Sequence, residues 1–256
     1  WQGDNAAPAM FEISEAVIVA LLAASLTALL LFHSRRVKAA ALPSSESVGL
    51  LVRARRSIFP KDYSGALVPR EAVNRALDAA NWAPTHGKTE PWRFVVFDAD
   101  SIPQLLTLKR EGIQATMRGP AQAAALEKAG KKEKGLRKCS HIIAICCKRV
   151  VSAKGALMPE WEECAAVASA VQNMHLSLHA DGYAGYWSSG GVGGWADAPA
   201  VRALLGMDGE CLGSKDLVLG FFHLGVAMPG KAESYRARRG PVEDKVRWVT
   251  SAPPKK

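Results

Sequence analysis

Paired metal-binding cysteines are missing from this chain. Its five cysteines, at 139, 146, 147, 164 and 211, are odd in number and include no Cys-x-x-Cys pair and no Cys/His ligand spacing. That pattern excludes a zinc centre or a disulfide framework and suits a reducing compartment. Cys146 and Cys147 are adjacent in an apolar run, so in a strand their side chains face opposite ways as small core residues. No Gly-x-Ser-x-Gly elbow is present, which removes one route to nucleophilic hydrolysis. The glycine-rich stretch 185–194 is not followed by Gly-Lys-Ser/Thr and has the wrong spacing for a dinucleotide fingerprint. No segment repeats at a fixed period. Aromatics make up only 7% of the residues, and no aromatic-basic RNA motif occurs.

What is present is a globular composition. The 256 residues are 48% hydrophobic and 22% charged, enough chain for one large domain or two small ones. The net charge of +9 suits an anionic partner: nucleic acid, lipid headgroups or a phosphate-bearing cofactor. The balance by itself does not choose among them.

Residues 16–32, AVIVALLAASLTALLLF, carry no charge over seventeen positions. As a helix they would reach about 26 Å, close to a hydrocarbon core of about 30 Å. A buried core helix is the bland alternative, but the run has no polar stripe. A signal peptide would need a positive charge ahead of the run; only Asp4, Glu12 and Glu15 precede it, and Arg35, Arg36 and Lys38 follow. The expectation is therefore a single transmembrane helix over about 14–33 within an N-terminal segment 1–38. The domain that follows would lie on the cytoplasm-equivalent side: cytosol, stroma or matrix. The chain opens on Trp1 rather than Met, so a removed upstream piece and an organelle membrane are expected with it. Residues 39–47 read as a linker, 48–250 as the main domain and 251–256 as a loose tail.

Within the main domain, a helix is expected over 48–56 with Ser47 as N-cap, and a second from Pro69 to about Trp82 on Val73, Leu77 and Ala80. WRFVVF at 92–97 reads as a buried strand and HIIAICC at 141–147 as a central one. Helices follow over 102–112 and 121–136, the latter with a lysine run at 128–134 read as a solvated face. A long buried helix over 160–180, strands at 185–188 and 217–226, and a helix at 198–205 complete an α+β layered sheet.

Four segments could carry chemistry. Arg55-Arg56-Ser57 offers two guanidiniums and a hydroxyl, the donors that match a phosphate, although a solvated basic helix end has the same composition. The loop from Trp82 to Trp92, with Ala83-Pro84-Thr85-His86, is stiffened by two prolines. Trp187-Ser188-Ser189-Gly190 opens a glycine-rich stretch where backbone N–H groups could approach a ligand. Arg236-Ala237-Arg238-Arg239-Gly240-Pro241 is a second basic cluster. His175 and His179 lie four apart on the long helix, but no third ligand is evident and no metal site is expected.

RRSI at 55–58, APTHGKTEPW at 83–92, GYWSSGG at 185–191 and RRGPVEDKV at 238–246, taken in that order, resemble the FMN-dependent nitroreductase family, most closely its small minimal members. The resemblance covers about residues 47–250. It implies an α+β fold with a central mixed sheet flanked by helices, and a homodimer holding two FMN molecules at its interface. NADH or NADPH would supply electrons and a nitro compound, quinone or similar small molecule would accept them. Arg55 and Ser57 would hold the phosphate and ribityl, with Arg56 adjacent, and Arg239, or Arg238 beside it, would complete the clamp. Trp82 and His86 would reach the flavin of the partner subunit. Trp187, Ser188, Ser189 and Gly190 would line the isoalloxazine. Two positions depart from the family: Phe59 and Ser188 stand where basic residues are common. The alternative expectation is a non-catalytic subunit of a larger membrane complex that keeps the fold as a scaffold.

Overall fold

A computed structural model of the chain describes residues 42–249. The apolar stretch expected to cross a membrane and the tail at 251–256 lie outside the described residues. Among the described residues no helix is long and apolar enough to cross a membrane. The single-pass membrane placement, with its organelle host, is therefore not upheld. The sheet belongs to a compact unit that begins at Gly49.

Helix α1, Ser45–Ala54, begins three residues ahead of the expected Val48. Its cap is Ser44 rather than Ser47: the Ser47 N–H donates to the Ser44 Oγ at 3.1 Å. Its end is closed by Arg56, whose guanidinium donates to the carbonyls of Arg53, Ala54 and Arg55.

Four strands make the central sheet in the order β1-β2-β6-β3: β1 Trp92–Asp98, β2 His141–Cys147, β6 Leu217–Gly225 and β3 Ala184–Ser188. All three ladders are antiparallel, running from Trp92 opposite Cys147 to Asp98 opposite His141 in the first. Beyond β3 the sheet becomes mixed through a parallel bridge, Ser57 to Gly185, where the Ile58 N–H donates to the Gly185 carbonyl at 3.1 Å.

The pleat sorts the core into two layers. Ile142, Ala144 and Cys146 join the layer under helices α3 (Ile102–Thr116), α4 (Gly119–Leu136) and α6 (Pro199–Leu204). Ile143, Ile145 and Cys147 join the layer under α2 (Arg70–Asn81) and α5 (Glu160–Ala180). Covering on both faces explains why β2 reads as one unbroken apolar run. β1, expected to be buried, is an edge strand, and Val96 on it is 39% exposed. The stripe of α2 is Ala72, Val73, Ala76 and Ala80, a slightly different face from the one expected, and its small side chains let it lie close along Ala166 and Ala170 of α5.

β6 is bulged opposite Ile145/Cys146. Gly220 there has φ +126°, and a Cβ would lie 2.3 Å from the Ser188 carbonyl oxygen. Only glycine lets the end of β3 come so close. The short hairpin β4 (Glu210–Cys211) and β5 (Ser214–Lys215) and the helix α7 (Lys231–Ser234) complete the described elements. The hairpin and the start of α5 are fastened by a buried ion pair, Arg149 with Glu163, from which the Arg149 Nε also donates to Ser214 Oγ at 2.9 Å.

Candidate functional site

The outer edge of β3 organises the expected residues. Ser57 lies against Gly185 in the parallel bridge, so 55–59 run alongside the strand. Successive β3 side chains then take opposite sides. Trp187 packs with the α2/α5 layer and donates its indole N–H to the Leu219 carbonyl at 3.3 Å. Tyr186 and Ser188 face the opposite side, into a cavity beneath α3 and α4.

Arg55 is half-buried on the α5 side. Its Nη1 lies 3.3 Å from the His175 Nδ1. A guanidinium only donates, so Nδ1 accepts and the ring proton sits on Nε2. His175 is therefore neutral, and burial, with the Arg55 and His179 charges behind it, pushes its pKa down to about 3. The Arg55 Nε is buried with no hydrogen-bond partner. Burial, then the charges of Arg239 and Arg56, lowers the Arg55 pKa from its ordinary value. Arg239 thus approaches Arg55 although 184 positions separate them in sequence. One turn along α5, His179 is also lowered, by burial and then by Arg55 and Arg56. Among the described residues, none of Arg55, Arg56 and Arg239 forms an ion pair with a carboxylate. A set of cations with no counter-ion and one orphaned buried donor is what a bound anion would complete.

The expected residues are not all brought together. Arg56 lies beside Arg55, but its guanidinium is engaged by backbone carbonyls, including that of Tyr235 at 3.1 Å. It fixes the turn and docks the C-terminal stretch rather than facing a ligand. Arg238 is exposed, and its carbonyl accepts from the Arg239 Nη1 at 2.8 Å. Trp82 caps the end of α2 and is 81% exposed. His86 is exposed too, its Nδ1 2.5 Å from the Glu162 Oε2 in the first turn of α5. Glu162 and His175 are thirteen residues apart on that helix, which places His86 about 20 Å from the Arg55 cluster. Within one chain these two groups do not share a site.

The glycine-rich turn supplies backbone donors. Gly190 N–H donates to Ser188 Oγ at 3.1 Å, and Gly193 N–H to Asp197 Oδ2 at 2.6 Å. Gly191 has φ +114°, and a Cβ there would meet the Trp195 ring at 2.3 Å. The N–H groups of Ser189 and Gly191 have no partner among the described residues. Phe59 packs edge-on against Tyr186, ring centres 4.5 Å apart, so an aromatic contact stands where the family often has a cation.

Five participants are not legible in the sequence as parts of a site. His175 was weighed only as a metal ligand, because nothing local ties it to Arg55. Tyr235 holds the Phe59 N–H at 3.1 Å and donates to Asp62 Oδ2 at 2.7 Å, a pairing across more than 170 positions. Lys128, Lys131 and Lys132 are exposed, as expected of a solvated face, and line the cavity mouth as well.

Comparison with known proteins agrees with this geometry. The Nitroreductase family matches residues 52–226. A Haemophilus influenzae protein named "Putative NAD(P)H nitroreductase" is 28% identical over 163 residues, covering 64% of this chain and 79% of that protein. An Escherichia coli (strain K12) protein of the same name, YdjA, is 27% identical over 162 residues, covering 60% of this chain and 75% of that one. Among solved structures, a nitroreductase-like protein of Bacillus cereus superposes with a TM-score of 0.62 at 18% identity, over 82% of this chain and 99% of that one. The FMN-dependent nitroreductase NfnB of Mycobacterium smegmatis, solved with NADPH, gives 0.60 at 16% identity, over 80% and 99%. A nitroreductase of Bacteroides fragilis with bound FMN gives 0.56 at 20% identity, over 79% and 98%. With its edge-bound arginines, its layered sheet and a match across most of the folded body, this chain belongs to the Nitroreductase family.

Proposed function

We propose that the chain is an NAD(P)H-dependent flavin oxidoreductase that holds FMN along the outer edge of β3 and reduces a small organic acceptor such as a nitro compound or quinone. The observation that carries this reading is the buried, partnerless Arg55 Nε within a cluster of uncompensated cations. Arg55 and Arg239 clamp the phosphate, and neutral His175 holds the Arg55 fork in place without adding charge. Ser57 reaches the ribityl hydroxyls. Ser189 and Gly191 would offer their free N–H groups to the ring, with Ser188 and Gly190 beside them and Trp187 on the other side of the strand. Arg56 shapes the turn, and Arg238 contributes charge only. When bound, FMN supplies the hydride acceptance and electron delivery that no side chain here provides. Trp82 and His86 act from a second copy of the chain, because within one copy His86 stands about 20 Å from Arg55; the exposed Trp82 and Trp161, 81% and 72%, give that copy an apolar surface to cover.

The test is a visible spectrum of the purified protein with an FMN titration by fluorescence quenching. The protein is expected to be yellow, with a band near about 450 nm. Arg55→Met is expected to weaken FMN at least about tenfold, with Arg55→Lys in between because a lysine lacks the planar fork. A colourless protein that takes up no added FMN overturns the reading.

A further inference from the structure

On the other side of the sheet from Arg55, a cavity of about 690 Å³ opens between the sheet and helices α3 and α4. Its interior is apolar: Leu105, Ile113, Met117, Leu136, Ile142 and Phe221. Phe221 forms part of its wall together with Trp195, the two rings stacked at 4.9 Å. Its charged lining is of one sign. Lys61, Lys109, Lys128, Lys131 and Lys132 border it, and no Asp or Glu does. The nearby carboxylates are already engaged: Glu127 with Lys131, and Glu133 with Arg110 and Arg137. Lys109 is half-buried, its Nζ 5.7 Å from the centre of the Trp195 ring, with no carboxylate partner among the described residues. Facing the same space is His223, 8% exposed. Its Nδ1 lies 3.2 Å from the Tyr186 carbonyl and so carries the proton, which leaves Nε2 as a free acceptor or, with a proton, a second donor.

We propose that this cavity binds a hydrophobic carboxylate, its apolar body beneath α3 and α4 and its carboxylate at Lys109. An apolar pocket with a few placed polar groups is the usual form of a small-molecule site. An ammonium held among leucines and aromatic rings without a counter-ion is stabilised by an arriving anion, and the remaining lysines raise the local concentration of anions at the mouth. Burial lowers the Lys109 pKa, with Lys132 adding to the effect and Glu133 opposing it, so the site gains when a further negative group enters. A cation of the same shape would meet repulsion from the bordering lysines. Ser188, Gly190 and Gly191 also line the cavity, so at that border the site adjoins the proposed flavin edge and rests on that reading, while its apolar body and Lys109 lie outside it.

The experiment titrates the full chain with dansyl-undecanoic acid and follows its fluorescence, recording FMN absorbance in the same samples so that the two readings fail separately. Saturable uptake with a blue-shifted emission is expected. Laurate or naphthoate should displace the probe; which of the two does so tells an acyl chain from an aromatic acid, and either supports the site. Dodecyltrimethylammonium should fail to displace it. Lys109→Gln is expected to weaken the probe at least about tenfold, and Lys109→Arg to retain most of it. No uptake, equal displacement by the cationic and anionic amphiphiles, or undiminished binding by a folded Lys109→Gln protein overturns the proposal. If Lys109→Gln does not fold, the charge preference of the unaltered chain decides alone.

Discussion

At the residue scale, two neutral histidines govern how the fold answers acid. Burial is the first cause in both: it pushes His175 down to about 3 and His223 to about 4. In the unfolded chain each would titrate near about 6.5. Between those values the unfolded state binds more protons than the native one, so stability rises with pH there and is fully present above about 6.5. As pH falls below that point, each histidine removes up to about 1.4 kcal/mol per pH unit. Urea melts at pH 7, 6 and 5 are therefore expected to weaken progressively, and His175→Gln should flatten part of that slope. A slope unchanged in the variant would show His175 to be protonated in the native state. The clusters at 55–57 and 236–239 stand out as candidate phosphate ligands only through the order of the motifs, since a solvated basic helix end has the same local composition. That Arg56 turns back onto four carbonyls was not legible: the spacing is the same whether a guanidinium faces a ligand or its own helix end.

At the scale of elements, the bulge of β6 carries the site. Gly220 allows the Ser188 carbonyl to approach, and through it the turn that presents Ser189 and Gly191. Gly220→Val is expected to cost about 2 kcal/mol or more, since it combines a disfavoured φ with a backbone clash. It should also weaken FMN more than the lost stability alone explains; a urea melt paired with an FMN titration separates the two effects. Helix limits were largely readable, because Pro69 and Pro159 mark the starts of α2 and α5. Edge and centre were not: WRFVVF and HIIAICC are both apolar, yet only the second is covered on both faces. The lysine run is solvated as expected, but its place beside the cavity was not legible. Charge density alone does not say whether a helix faces open water or the rim of a cavity.

At the scale of the whole molecule, the separation of His86 from Arg55 and the exposure of Trp82 predict that one chain is half a site. Trp82→Asp is expected to shift the protein from dimer to monomer by light scattering and to lower FMN affinity in step. A monomer that still binds FMN as tightly as the parent would place the complete site within one chain. The order of motifs along the sequence was enough to identify the layered α+β fold, whereas the pairing of Phe59 with Tyr235 and of Arg55 with His175 exists only once the chain has closed on itself. One consequence concerns oxidants. Cys139, Cys146 and Cys147 are buried, and burial drives their thiols up to about 12. At neutral pH the nucleophilic form of each is then a fraction on the order of one in a hundred thousand. A catalyst that leaks peroxide during turnover would leave these sulfurs untouched, and its own by-product would not corrode the sheet on which it works.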